Sequence, residues 1–532
     1  MKRDHTDHLG VRKRILINTL SNYGKMFISI IVTIFLTRIL FLGLSREEYG
    51  FWALLWSIFG YSLLLDFGFG TAVQKHTSEC SVSADWDKYN RVVSTVFFCY
   101  VCFAVLIVAF SVVLSFYIHR LFGIDSSNIA YFQKVLIMFG IGSAICFPFG
   151  FFTEILRGLQ KLHIRNVIQV TFMILNFIGM AIMIHLKINL IGMVFVALGT
   201  NFLASLSMMY AAHRLIPQFR IRLHFFDPTL LREVMSFSLF AYLITFSNLI
   251  ILKTDQLVIS IFGSVALVAI YQISIRLAST FQRLSAQFLD NVGPVTATLF
   301  AAGNKSKMNQ LMLQSNRLMG IISSMLLIPL LVYVKPLLNI WLKLDHPAGL
   351  ICAIILLISM YILLFFRSSS VSVMLMANEH KILTLVAVSE AMLNLGLSIL
   401  LIHIVPQILT NMGIVISDSA IIGVALGTLI PNVILAFSFN IPKTCRFAGI
   451  TIKEYLQKVV IKTILISIIT FCFAVLLYHL SYPDNLFRLL LYSLLSVILY
   501  LYLSYVIGLQ AWERKRIKDY VHSKLAKSKI TP

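Results

Sequence analysis

The chain has 532 residues, of which 59% are hydrophobic and only 12% charged. Soluble proteins carry about 25% charged residues, so a water-soluble fold would leave too much apolar surface in contact with solvent. Disorder is excluded because it needs low hydrophobicity. The 44 Lys+Arg against 22 Asp+Glu give a formal charge of +22, and the placement of that charge carries information about topology.

The first 14 residues, MKRDHTDHLGVRKR, are basic like the start of a signal peptide. The apolar stretch that follows is too long for one and has no small-residue cleavage site, so an uncleaved first span is expected. Windows of roughly 20 apolar residues, the length that crosses a bilayer, recur fourteen times. They lie at 15–42, 50–74, 91–118, 131–157, 164–186, 189–213, 230–252, 257–289, 315–338, 349–376, 382–405, 414–440, 458–480 and 487–507. None shows the alternation of a membrane β-strand. The expected fold class is an all-α polytopic membrane protein with about 14 transmembrane helices.

Loop charge gives the orientation. Lys75, Lys88, Arg91, Arg157, Lys161, Arg165, Arg214, Arg220, Arg222 and Arg232 fall in alternate loops of the first half, on the side of the basic N-terminus. Lys443, Arg446, Lys453 and the tail residues Arg514 to Lys529 continue that side, and the opposite loops carry far fewer cations. Both termini are therefore expected in the cytoplasm. Topology absorbs most of the positive charge, so no nucleic-acid partner is expected; the basic tail suits anionic lipid headgroups. Seven scattered cysteines lack zinc spacing, and no metal site is expected.

The two halves resemble each other. ALGT occurs at 197–200 and again at 425–428, Leu65-Asp66 recurs as Leu289-Asp290, and Leu175-Asn176 recurs as Leu393-Asn394. The order is kept and the offset stays nearly constant, so the first six spans are expected to repeat as the next six. An even number per copy makes a parallel repeat, which is a transporter architecture. The expected organisation is a cytoplasmic N-terminus (1–14), an N-lobe (15–216) and a cytoplasmic linker (217–228) bounded by Pro217 and Pro228. A C-lobe (229–442), an additional hairpin (443–507) and a basic tail (508–532) complete it.

Charges inside spans are costly, about 2.5–3.5 kcal/mol each on insertion scales, and call for a function. In the first span, Asn18, Asn22, Lys25, Ser29 and Thr33 share one helical face. In the eighth, Gln272, Arg276, Ser279, Arg283, Gln287 and Asp290 do the same. Arg367 in the tenth span is a third cationic position. Cations without equally many acids point to an anionic ligand such as a pyrophosphate, which guanidinium meets with paired donors. Lys25, Arg276, Arg283 and Arg367 are the expected substrate cations, and Asn18, Asn22, Ser29, Gln272 and Gln287 the expected polar lining. Asp66, Asp290 and Glu390 are candidates for proton or sodium coupling or gating. Glu154 and Arg157 are expected to pair locally, and Asp255, beside Lys253, is expected in an interfacial structural role. No catalytic residue and no bound cofactor is expected, and no Walker-type nucleotide motif is present.

The stretches EEYGFWALLWSIFGYSLLLDFGFGTAVQK (47–75), ILRGLQKLHIRN (155–166) and KTDQLVISIFGSVALVAIYQISIRLAS (253–279) resemble the polysaccharide transporter family of the multidrug/oligosaccharidyl-lipid/polysaccharide exporter superfamily, whose O-antigen members are the Wzx flippases. The resemblance covers about residues 12–442. It implies two six-helix bundles in a V around a central cavity, with a final hairpin as in the fourteen-helix members. It implies a flippase rather than an enzyme, moving undecaprenyl-pyrophosphate-linked oligosaccharide across the bacterial inner membrane by alternating access. Partners would include a polysaccharide polymerase and a chain-length regulator of the same pathway. Related lipid II flippases line the cavity with cations on helices one and eight, where Lys25, Arg276 and Arg283 stand here. Lys25 departs from the arginine frequent on helix one. The competing readings are a multidrug or cation antiporter of the same superfamily and, more remotely, a membrane-embedded polymerase or glycosyltransferase.

Overall fold

The computed structural model describes residues 4–124, 127–230, 239–287, 289, 292–377, 379–509, 513–515 and 519. Among these residues the secondary structure is helical, without a strand. Thirteen helices are long and apolar enough to cross a membrane, or fourteen when one bent pair counts as a single span. This is a multi-pass membrane protein. The spans are α1 (Ile17–Gly43), α2 (the bent pair Arg46–Asp66 and Phe69–Ser81), α3 (Trp86–Phe122), α4 (Ile129–Gly158), α5 (Leu162–His185), α6 (Leu190–Leu215) and α7 (Tyr242–Phe262). They continue as α8 (Val265–Ala286), α9 (Lys305–Val332), α10 (Pro347–Met376), α11 (Lys381–Asn411), α12 (Ala420–Ala448), α13 (Ile452–Leu480) and α14 (Leu486–Gly508).

The chain packs as two compact units, residues 1–272 and 273–532, divided within α8. In the first, α1 lies along α5, α3 along α4, α5 along α6, and α7 against α2. Its core gathers Phe69, Val73, Tyr89, Val93, Phe151 and Phe152 with Met208 and Phe219. The LDFGFG motif is the bend in α2, which turns by 49°. Phe67 (φ 44°) and Gly68 (φ 85°) both adopt the left-handed conformation there, which is costly for Phe and free for Gly. Three contacts hold it: the Phe67 ring stacks on Tyr242 at 5.2 Å, and Asp66 accepts from the Gly70 amide at 3.0 Å and from the Tyr100 hydroxyl. In LRGLQK, Gly158 lets α4 touch α2, since a Cβ there would lie 2.6 Å from the Gln74 carbonyl oxygen.

The segment that follows α6 is held by side chains of α3. Asn90 donates to the Gln218 carbonyl at 3.2 Å and accepts from the Arg220 amide at 2.9 Å. Ser94 accepts from the Arg222 amide at 3.2 Å and Thr95 from the Asp227 amide at 3.0 Å. Asp227 in turn accepts from the hydroxyl and amide of Thr229. The hydroxyl contact, then the amide, holds its carboxyl below the usual carboxylate range.

In the second unit α11 and α12 form the most extensive helix pair, and α12 also packs on α10. Gly423 and Gly427, a small-xxx-small spacing, permit this approach. A Cβ on Gly423 would fall 2.1 Å from the Leu401 carbonyl oxygen, and one on Gly427 2.5 Å from Ser398 Oγ. Gly423→Ala is therefore expected to lower stability by about 1–3 kcal/mol through overpacking. Gly199→Ala, where a Cβ meets nothing within 4 Å, is the control; thermal unfolding of the two variants in detergent checks the difference. The final hairpin, α13 and α14, packs on α9 through Ile321, Ile328, Ile466, Ala474, Leu489 and Tyr500.

The repeat is visible as one contact made twice. Asn176 on α5 donates to Thr200 on α6 at 3.0 Å. Asn394 on α11 donates to Thr428 on α12 at 3.1 Å. The Leu-Asn and ALGT matches are thus the two ends of the same interhelical hydrogen bond in each unit.

The boundary between α7 and α8 differs from the sequence reading. Lys253–Gln256 do not end α7; the helix runs through them to Phe262, and the turn is Gly263–Ser264, where Ser264 Oγ accepts from the Leu267 amide at 3.3 Å. The polar run stays inside because its groups find partners. Asp255, 3% exposed, accepts from the Tyr271 hydroxyl at 2.6 Å, Thr254 and Tyr61 hydroxyls lie 2.6 Å apart, and Gln256 donates to Gln272. Asp255 is a buried residue that bonds between helices.

Candidate functional site

The polar face of α1 is turned toward protein. Asn18 donates to the Gln160 carbonyl at 2.9 Å and accepts from the His163 amide at 3.2 Å. Asn22 accepts from Asn166 at 2.6 Å, and Lys25 donates to Gln169. His163, Asn166 and Gln169 stand three residues apart on α5, so the two faces match turn for turn. Asn18 and Asn22, expected to line a cavity, both bond to α5, and Asn22 remains exposed. Ser29 continues the face, half-buried.

The same contact creates a cationic group in the first unit. The Lys25 ammonium and the Arg165 guanidinium, whose Nε stands at 3.4 Å, converge on the single neutral Oε1 of Gln169. Arg157 lies near enough for its charge to act on both. Glu154 is the nearby acid, and Arg157 holds both its oxygens at 3.0 Å, the local pair expected from sequence. From sequence Arg165 counts only as a loop cation and Gln169 has no expected role, although a glutamine and an arginine four residues apart at the start of an apolar span are a legible signal.

On α8 the arginines stand differently. Gln272, half-buried, accepts from Gln256. Arg276 is half-buried, and its Nε has no hydrogen-bond partner among the described residues. Arg283, seven residues on and about 10 Å along the axis, is exposed, its Nε 3.4 Å from the Ser279 carbonyl of its own helix. Neither arginine forms an ion pair with a described residue. Gln287 extends the face, half-buried; Asp290 lies outside the described residues.

Arg367, the third expected substrate cation, stands differently again. It is 7% exposed, on a π-helical turn of α10 (Leu363–Ser368), and its two terminal nitrogens grip the two oxygens of Glu390 on α11, one of them at 2.6 Å. It also donates to Asn432 on α12, which donates to Ser359 at 2.9 Å. This fork-on-fork contact neutralises both charges and ties three helices. Glu390, a candidate for ion coupling, is accordingly committed to Arg367. The serines after Arg367 serve α9: Ser369 donates to Ser315 at 2.6 Å, and Ser370 accepts from Asn316 at 2.7 Å. Asp66 likewise is occupied, capping the lower half of α2.

Chemically, the spans hold two groups of cations, Lys25 with Arg165 in the first unit and Arg276 with Arg283 on α8, whereas the acids Asp66, Glu154, Asp255 and Glu390 are each engaged. Such groups suit an anion of delocalised charge. Among the described residues no set of three or more His, Cys, Asp or Glu side chains is placed to hold a metal ion.

A family model described as polysaccharide biosynthesis protein matches residues 11–300. No curated protein gives a significant match. Among solved structures, the lipid II flippase MurJ in an inward closed conformation is similar at a TM-score of 0.66 with 16% identity, over 92% of this chain and 98% of that one. An inward-facing multidrug resistance MATE family transporter of the MOP superfamily is similar at 0.64 with 14% identity, over 78% and 95%. A MOP superfamily transporter from Pyrococcus furiosus, described by a reversed polarity of its binding pocket, is similar at 0.56 with 14% identity, over 82% and 96%. At these identities the likeness is one of fold: the chain has the exporter fold of that superfamily.

Proposed function

Because the chain belongs to the polysaccharide biosynthesis protein family, we propose that it is a flippase, not an enzyme, that carries undecaprenyl-pyrophosphate-linked oligosaccharide from the cytoplasmic to the outer leaflet of a bacterial inner membrane by alternating access. The observation that carries this reading is the pair Arg276 and Arg283, two guanidinium groups on one helical face without a carboxylate partner among the described residues. Leaving guanidinium unpaired inside a span is costly unless an anion or water meets it. A pyrophosphate offers each guanidinium two acceptor oxygens in the matching geometry. Lys25 and Arg165 give the first unit a second place at which phosphate charge is offset. The prenyl tail remains in lipid, where it needs no protein partner.

A drug or cation antiporter would need acids free to meet a cationic substrate. Asp66, Asp255 and Glu390 are instead engaged by Tyr100, Tyr271 and Arg367, which favours the anionic substrate. The termini belong in the cytoplasm on this reading, and the O-antigen or other surface glycan reaches its polymerase and chain-length regulator after translocation.

Deletion of the gene tests the assignment. Surface polysaccharide is expected to disappear while the undecaprenyl-linked unit accumulates in the cytoplasmic leaflet, and the wild-type gene restores both. Unchanged polysaccharide together with new sensitivity to cationic drugs would replace the flippase with the antiporter.

A further inference from the structure

At the end of α6, on the side of the basic loops, the first unit carries an open cavity of about 540 Å³ that the transport reading does not use. Its floor is apolar, made by Phe152, Met209, Phe219 and Ile221. Its rim carries Arg220 and Arg222, with His213 beside them. The arginines are exposed and form no ion pair with a described residue. Their positions follow from the strap that α3 holds. Asn90 and Ser94 bind the backbone at 218, 220 and 222, Phe219 is thereby buried in the core at 4% exposure, and the alternating arginine side chains are left outside.

The remaining lining residue, Tyr210, shows what the cavity opens onto. It is 67% exposed, and Leu203, two helical turns earlier on the same face of α6, is 51% exposed. An exposed apolar helix face that ends in tyrosine and then Arg214 is the pattern of a lipid-facing helix meeting the headgroup layer. The cavity is thus apolar on its bilayer side and doubly cationic on its aqueous side.

We infer that this cavity is a binding site for an anionic glycerophospholipid, with the phosphodiester on Arg220 and Arg222 and an acyl chain against Met209, Tyr210 and Ile221. Charge complementarity selects the headgroup and the apolar floor requires the tail, so a free phosphate lacks half of the contact. None of its lining residues is among the cations of α1, α5 and α8.

Native mass spectrometry of the full chain in detergent, titrated with dioleoyl phosphatidylglycerol, tests it. The variant Arg220→Gln/Arg222→Gln should fold normally, because α3 grips backbone atoms at these positions. Removing both guanidinium groups predicts a roughly tenfold to thirtyfold weaker phosphatidylglycerol adduct. Lys305→Gln/Lys307→Gln removes equal charge from two exposed positions elsewhere and should bind as wild type, and dioleoyl phosphatidylcholine should bind wild type weakly. Equal adducts in wild type and the arginine variant, or equal binding of the two lipids, would overturn the site. Competition by inorganic phosphate would make it a simple anion site, and displacement by undecaprenyl diphosphate in preference to phosphatidylglycerol would make it a substrate site; either overturns the phospholipid assignment.

Discussion

Glu390→Ala is expected to destabilise the second unit by about 3–5 kcal/mol, the cost of leaving one member of a buried ion pair alone. Arg367 is left with Asn432 as its polar contact and remains buried among α10, α11 and α12. The readout is the thermal unfolding midpoint in detergent, with yield from the membrane as a second sign. Removing both charges, as Arg367→Leu/Glu390→Leu, should recover most of the loss, because the desolvation cost of two ions vanishes along with their attraction. Transport should survive in that double variant if the pair is a helix tie. A double variant that is folded but inactive would return Glu390 to ion coupling.

Arg276→Ala and Arg283→Ala should behave in the opposite way, with stability kept and transport abolished. Neither side chain has an ion-pair partner to abandon among the described residues. A hydrogen bond to a charged group contributes about 1.5–3 kcal/mol, so each substitution predicts a roughly tenfold to 150-fold lower affinity for a pyrophosphate substrate. In a deletion strain the double variant should give no surface polysaccharide and should accumulate the lipid-linked unit. Lysine at both positions keeps charge but loses the planar fork, so partial complementation is expected. Full complementation by the alanine variants would remove α8 from substrate binding.

Local patterns in the chain forecast local outcomes. Runs of apolar residues marked the spans because a bilayer-crossing helix must satisfy its backbone internally and present apolar side chains outside. The recurrence of Leu-Asn and ALGT marked the repeat because Asn176 with Thr200, and Asn394 with Thr428, make the same hydrogen bond in two places. Partners were not legible. Arg367 and Glu390 lie 23 residues apart on different helices, and nothing in either span announces the other. Lys253–Gln256 read as a helix end because four polar residues rarely stay in a span; Tyr61, Tyr271 and Gln272, from two other helices, are among the groups that stabilise them there. The face of α1 was recognised as polar by its spacing, but periodicity tells which side of a helix is polar and not whether water or another helix meets it. Here α5 meets it.

The most direct test of the account is translocation by purified protein in proteoliposomes loaded with a fluorescent undecaprenyl-pyrophosphate oligosaccharide, read by access of a membrane-impermeant lectin. Moving two negative charges out of a negative interior releases about 4–5 kcal/mol per 100 mV, so an imposed potential of that sign should speed the appearance of glycan in the outer leaflet, without nucleotide. The Arg276→Ala/Arg283→Ala protein should leave the glycan where it was loaded. Folded wild-type protein that moves no glycan at any potential, but exchanges a cationic dye for protons, would contradict the account.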